Sequence, residues 1–427
     1  MMPEDDRAGG LPVLHAGFIP LCDCAPLVIA RERGFDQAFG FSLRLHREVS
    51  WANIRDKTEY GIFDCAHMLA PMPIASTLGI GRAAVPMIAP MALNLNGNAI
   101  TVSTALFAEM RRADPARASA GGMAAAHALA AAIRGRHHEG RAPLTLGMVH
   151  PFSCHNYDLR YWLAAAGIDP DNDVRLVVIP PPLIAESLKE GQVDGFCVGA
   201  PWGSVAVEMG YGRIVATKLE LWANSPEKVL GVRRDWADAN MPLLLAAMQA
   251  LLKAAAWLDE EGNRDEAAEI LARPHYIGVP AAVLRRVMSG DLVRERGGQP
   301  DKAPDFLVFH RHAANFPWVS HGIWLMTQMT RWGQIGALPD MGSVAATVFR
   351  TDIFRQAASA LGLNTPLADL KAEGKDAAHG DIAGDQGPIA LGTSRFFADE
   401  TFRPEEASAY LRSFIAPSPM GRGLGEG

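Results

Sequence analysis

The polar side chains of this chain that could do chemistry gather where an apolar, strand-like run gives way to a helix-like one. Such junctions carry Ser50 and Trp51, then Asn96, Gly97 and Asn98, then His155 and Asn156. Further on come Pro180, Pro181 and Pro182, and then Gly199, Ala200, Pro201 and Trp202. In α/β sheets, ligands bind beyond the carboxyl ends of the strands. Helix starts there present unpaired N–H groups and a partial positive charge. These residues are donors, aromatic walls and rigid turns, with few carboxylates. A small anion suits that set better than a cation does. Each residue also has a plain structural use. Trp51 can pack, Asn98 can serve a turn with Gly97, and His155 can bond backbone at a helix start. Pro181 can be part of a strand-exit turn, and Lys228 in NSPEKVLG can be a solvated lysine.

Covalent chemistry finds no support. There is no GxSxG, P-loop, HExxH, or GxGxxG within a βαβ unit. His137 and His138 are adjacent, and His310 and His312 are two apart, so neither pair has metal-ligand spacing. The cysteines are Cys22, Cys24, Cys65, Cys154 and Cys197, an odd set without a CxxC, expected as reduced packing residues. No enzyme, cofactor or metal is expected. A net charge of −7 disfavours direct nucleic-acid binding and means an anion must be attracted locally. The start, MMPEDDRAGG, is acidic where a signal peptide would be basic, and the expected location is the cytoplasm. No stretch is expected to span a bilayer.

The elements that must position these residues alternate. LPVLHAGF reads as a strand and CAPLVIARERG as a helix, followed by the strand FSLRLHREV and a helix capped by Ser50. NAITVS, PLTLGMVH, DVRLVVI and VDGFCVG read as further strands, with helices between them. Thr104 to Glu139 reads as helical, and Trp236 to Leu271 as mostly long helix. Asp369 to Gly392 reads as a loose loop. The alternation predicts an α/β, two-lobed architecture with a ligand cleft between lobes. The expected bounds are 11–103 with 232–415 for lobe 1 and 104–231 for lobe 2, with 416–427 a disordered tail.

Several runs then carry a family resemblance. They are CAPLVIARERGF, SWANIRDK, HMLAPMP, LNGNAITVS, LRYWLAAAGIDPDNDVRLVVIPPP, DGFCVGAPW, SPEKVLG and FPWVSHGIWLMTQMTRWGQI. Together they resemble the nitrate-binding proteins of ABC transporters and their cytoplasmic relatives, in order, from about Leu14 to Phe414. The resemblance implies a periplasmic-binding-protein type II fold. With no secretion signal in view, it implies the cytoplasmic nitrate/nitrite sensor of the NasS type. Such a sensor holds an RNA-binding antiterminator of the ANTAR class, the NasT type, and releases it when nitrate or nitrite binds. Two other expectations stay open: the binding component of a nitrate/nitrite ABC transporter whose true start lies upstream, and a metabolic enzyme on the same fold, for which no catalytic constellation is in view.

The same resemblance implies ligand-binding roles for Trp51, Asn98, His155, Pro181, Gly199 and Lys228. Lys228 would be the counter-charge, His155 and Asn98 donors, and Trp51 a flat wall with an indole N–H. Gly199 would be the backbone position nearest the anion. Where many members read VGEPW this chain reads VGAPW, so Ala200 stands in place of a carboxylate. A buried lysine needs an anion to stay charged, which would tie occupancy to lobe closure.

Overall fold

The computed structural model describes residues 7–8, 10–336, 340–374, 380–393, 395–397 and 400–414. LPVLHAGF forms the strand Leu11–Phe18, and FSLRLHREV forms Ser42–Arg47 beside it in parallel, with Val13 opposite Ser42 and Phe18 opposite Arg47. Between them runs the helix Ala25–Glu32, which starts with Pro26 in its first turn, where a missing N–H costs nothing. Cys65–Leu69 pairs in parallel on the other side of Leu11–Phe18. Lys228–Arg233 then adds antiparallel to Cys65–Leu69, and Met87–Ile88 closes that edge.

The second sheet runs in the order Gly212–Thr217, Asn98–Ser103, Gly195–Gly199, Leu144–Met148, Val174–Val178. The last three strands pair in parallel, and Asn98–Ser103 is antiparallel to both its neighbours. Each sheet mixes parallel strands with an antiparallel return from the other lobe. The expected α/β architecture of two sheets with helices is present.

Sheet membership moves the expected lobe bounds. The expected bounds set Asn98–Ser103 in lobe 1, yet its strand partners are in the second sheet. They set Lys228 to Gly231 in lobe 2, yet these pair with Leu69 to Ala66 of the first sheet. The chain crosses between sheets at Gly97 and again between Thr217 and Lys228. The two crossings are stitched together: Asn96 N donates to Ser225 O at 3.1 Å, and Ser225 N to Asn96 Oδ1 at 3.1 Å. Gly97 has φ +93°, so glycine is favoured by conformation, and a β-carbon there would also make the Leu307 side chain shift, from 2.9 Å at Cδ1.

The helix Met241–Asp259 also departs from expectation. Across 18 of its 19 residues the mean hydropathy reaches 1.5, long and apolar enough to cross a bilayer. Half of it is buried, with Leu244, Met248, Leu251, Leu252 and Leu258 inside the core beside Ala25–Glu32. The expected loose loop over 369–392 contains the strands Glu373–Gly374, Asp381–Gly384 and Gly387–Ala390, the last two a hairpin. The two hairpin strands are short and partly exposed, with one isoleucine each. Side-chain bonds hold the hairpin, with Thr365 N donating to Asp385 Oδ1 at 2.7 Å. The expected tail at 416–427 lies outside the described residues.

The C-terminal part folds back over both lobes, joined by aromatic contacts. Tyr161 stacks on Phe397 with centroids 3.9 Å apart, and Trp222 meets Trp324 at 4.6 Å. Tyr157 OH donates to Gln334 Oε1 at 2.6 Å.

Candidate functional site

Six chain segments bring ionisable, polar and aromatic groups to the seam between the sheets. The turn Cys22–Cys24 after the first strand carries Asp23, and Cys65–Leu69 carries His67. The crossings supply Asn98 on one side and Lys218, Glu227 and Lys228 on the other. The helix Cys154–Ala165 supplies His155 and Asp158. Its start is fixed by Ser153, whose hydroxyl accepts from Asn156 N at 3.0 Å. Trp51 enters from the first turn of Trp51–Glu59, capped as expected by Ser50, which accepts from Asn53 N at 3.2 Å.

Lys228 is fully buried. Its Nζ donates to Asp23 Oδ2 at 2.8 Å and to Glu227 Oε1 at 2.7 Å, and it lies 5.5 Å from the centre of the Trp51 ring. Lys218 Nζ donates to Glu227 Oε2 at 2.8 Å and Pro226 O at 2.7 Å, and sits 3.2 Å from Asp158 Oδ2. Asn98 Nδ2 donates to Glu227 Oε2 at 2.6 Å and Asp158 Oδ2 at 3.1 Å. His67 Nδ1 accepts from Ile19 N at 3.4 Å, which leaves the ring proton on Nε2, 2.9 Å from Asp23 Oδ1. The His67 ring lies 5.3 Å from that of Trp51.

The electrostatics follow from these pairings. Burial alone would depress Lys228, but Asp23 and Glu227 raise its pKa. Burial opposes ionisation of Glu227, yet Lys218, Lys228 and His155 hold it well below the usual carboxylate range. Asp158 is pushed up to about 6, mostly by burial, with Lys218 opposing and Glu227 adding to the rise. Burial lowers His155 to about 3, and it lowers His67 as well. Both imidazoles are therefore neutral at pH 7, and both lysines are charged.

Several buried polar atoms lack a hydrogen-bond partner. These include Trp51 Nε1, both ring nitrogens of His155, Asn98 Oδ1 and Asp158 Oδ1. His155 Nε2 is 3.5 Å from Glu227 Oε1, beyond good hydrogen-bond length. An unpaired buried donor costs about 1–3 kcal/mol. Two of these atoms are donors, Trp51 Nε1 and one N–H of the neutral His155 ring, and they fit a ligand that accepts; Asn98 Oδ1, Asp158 Oδ1 and the other His155 nitrogen are acceptors.

Of the sequence-predicted residues, Trp51, Asn98, His155 and Lys228 come together here. Gly199 joins them: a β-carbon on it would lie 3.4 Å from Asp23 Oδ2 and 3.5 Å from Asn98 Oδ1. Pro181 opens a short turn after the edge strand Val174–Val178, with Leu144–Met148 standing between that strand and Gly195–Gly199. Ala200 uses its backbone across the seam, accepting from Cys22 N at 2.8 Å, and Trp202 Nε1 donates to Pro20 O at 3.0 Å. Lys228 does not wait for a ligand to balance its charge, as a lone buried lysine would, because two carboxylates already do so. Asp23, His67, Asp158, Lys218 and Glu227 were missed in the sequence. Their signal was faint: a charged residue inside an apolar run, as in CAHML or CDCAPLVIA.

Comparison with known proteins identifies the fold and the family. Residues 8–272 match the NMT1-like family. The nitrate import ATP-binding protein NrtC of Synechocystis is 36% identical over 94% of this chain, which spans about half of that relative's length, 55%. The nitrate/nitrite binding protein NrtA of Synechococcus elongatus is 33% identical over 96% of this chain and 88% of its own. A crystal structure of the periplasmic nitrate-binding protein NrtA from Synechocystis superposes with a TM-score of 0.81 at 29% identity, covering 94% of this chain and 98% of that one. The fold is thus of the periplasmic-binding-protein kind, and the relatives compared are named for binding and transport. The chain belongs to the NMT1-like family, among the homologues of the nitrate-binding protein NrtA.

Proposed function

We propose that the protein binds nitrate or nitrite at the seam between its sheets and works as a cytoplasmic sensor without enzymatic activity. One observation carries the binding reading. Trp51 Nε1 and the His155 ring, buried and without acceptors, stand beside the Lys228 ammonium. Nitrate accepts hydrogen bonds and donates none. Hydrogen bonds to a charged partner contribute about 1.5–3 kcal/mol each. Three or four would cover the roughly 8 kcal/mol of a micromolar site after binding costs. The names of the relatives, nitrate import and nitrate/nitrite binding, support the same anion.

The sensor role extends this reading. The anion-free protein would hold an ANTAR-class antiterminator of the NasT type, and anion binding would release it to permit transcription of nitrate-assimilation genes. The support is the resemblance to NasS-type sensors. The coupling would run through the two crossings, which bear Asn98, Glu227 and Lys228 and also join the lobes. Calorimetry with nitrate and nitrite tests binding: micromolar heats are expected, and a folded protein that gives none contradicts it. Size-exclusion of the protein mixed with a purified ANTAR-domain protein tests the role. A complex that dissociates with nitrate is expected, and no complex at all removes the sensor reading.

A second reading is favoured by the transport names of the matched relatives. The protein would then be the substrate-binding component of a nitrate/nitrite ABC transporter. Fractionation of the native cell decides between them, since the transporter reading requires the protein outside the cytoplasm.

A further inference from the structure

The seam cluster has a charge imbalance. Asp23, Asp158 and Glu227 face Lys218 and Lys228, each at most 2% exposed. Three carboxylates against two ammoniums leave an excess negative charge, and His67 and His155 are neutral. A site that admits a monovalent anion would thereby carry two uncompensated negative charges away from water. Burying unpaired charge is expensive, and ionisable groups respond by changing protonation state.

The geometry shows where the response falls. Asp158 and Glu227 share one ammonium, Lys218, and one amide, Asn98 Nδ2. Glu227 has in addition Lys228 and the neighbouring His155 ring. Asp158 has no second cation, and its Oδ1 is buried with no hydrogen-bond partner. It is the less supported of two adjacent carboxylates, with a bare oxygen able to carry a hydrogen.

We propose that the site takes up its anion together with one proton, which the Asp158–Glu227 carboxylate pair holds. The proton comes from solvent, one O–H bond forms, and nothing is oxidised or reduced. This rests on the nitrate/nitrite reading and adds to it a linkage between occupancy and pH.

The groups facing Asp158 all bear on the sign. Its own helix contributes Cys154 and neutral His155. The Lys218–Leu221 helix contributes Lys218, the strand Asn98–Ser103 contributes Asn98, and Gly195–Gly199 contributes Cys197. The segment entering Lys228–Arg233 contributes Glu227 and, beyond it, Lys228 paired with Asp23. Lys218 and the Asn98 amide stabilise the Asp158 anion directly, while Glu227 opposes it. A bound anion adds a second opposing charge and raises proton affinity. By reciprocity, a proton on the pair raises anion affinity. The pair is protonated below its free-state value of about 6, so affinity is flat there and falls as pH rises above it. The limiting slope is about tenfold per pH unit.

The test is calorimetry of the intact protein with sodium nitrate, and separately nitrite, at about pH 7.5 in phosphate and in Tris, buffers of different ionisation enthalpy. Proton uptake approaching one per anion is expected from the difference in heats, with affinity falling severalfold or more between about pH 6.5 and 8.5. Asp158→Asn is expected to abolish the proton uptake and flatten the pH profile. Measurable binding with equal proton-corrected heats and a flat profile in the unaltered protein overturns the proton proposal and leaves the anion reading standing. No heat with either anion at any pH overturns both. The unaltered protein suffices for this decision should Asp158→Asn fail to fold.

Discussion

At the scale of single residues, the site separates groups bonded in the protein itself from groups kept for a ligand. Trp51 Nε1 has no partner, whereas Lys228 Nζ has two carboxylates. Trp51→Phe removes the N–H while keeping the aromatic wall. The expected result is nitrate binding weakened about ten- to hundredfold, from the loss of one hydrogen bond to an anion worth about 1.5–3 kcal/mol. Thermal stability should change little, since no bond within the protein is lost; calorimetry and a melting curve check both. Lys228→Ala differs because it strips Asp23 and Glu227 of a buried partner. It should abolish nitrate binding and lower stability by about 3–5 kcal/mol, read by urea denaturation. That Trp51, Asn98, His155, Gly199 and Lys228 lie near one another was legible because junction position and family motifs pointed to them together. The supporting ions were not. Asp23 and Lys228 are 205 positions apart and meet only through sheet pairing. Single-sequence spacing cannot register such a pair.

At the scale of elements, function rests on how strands and helices begin. Ser153 accepts from Asn156 N and donates to His150 O at 2.6 Å, fixing the helix that presents His155 and Asp158. Ser153→Ala is expected to cost about 1–2 kcal/mol in urea denaturation and to weaken anion binding by misplacing His155. Gly97→Ala forces a β-carbon into left-handed backbone at a crossing that Leu307 already crowds. A loss of about 1–3 kcal/mol is expected. Most elements were legible from apolar periodicity, as in LPVLHAGF and SWANIRDK. The hairpin at Asp381–Ala390 was not, because side-chain bonds from Asn364 and Asp385 make it rather than an apolar face. The lobe bounds slipped because periodicity marks a strand and says nothing of which sheet takes it. Asn98–Ser103 and Lys228–Arg233 are each a return strand completing the other lobe's sheet.

At the scale of the whole molecule, charge and pH are coupled to the closed seam. His150, His155 and His321 are buried, and burial lowers them to about 4, 3 and 4. The unfolded chain binds protons on these residues near pH 6.5, while the folded chain does not until much lower pH. Stability contributed by the neutral rings is therefore complete above about pH 6.5 and is lost as pH falls toward 4. Denaturation midpoints measured from pH 7.5 down to about 4.5 should fall steadily, by up to about 1.4 kcal/mol per histidine per pH unit. A flat profile would mean that these rings are solvated in the folded protein. The two crossings, stitched by Asn96 and Ser225, and the C-terminal aromatic contacts make the lobes one body around the seam. The two-lobed architecture was legible from strand–helix alternation. The internal neutralisation of Lys228 was not, because it depends on residues that only the closed fold assembles.

The central claim is that the seam holds a nitrate or nitrite ion. A crystal structure of the protein grown with sodium nitrate tests it most directly. The account predicts a planar anion between the sheets, accepting hydrogen bonds from Trp51 Nε1, the His155 ring and Lys228 Nζ. A well-ordered seam in which Trp51 and His155 keep no anion at saturating nitrate would contradict it.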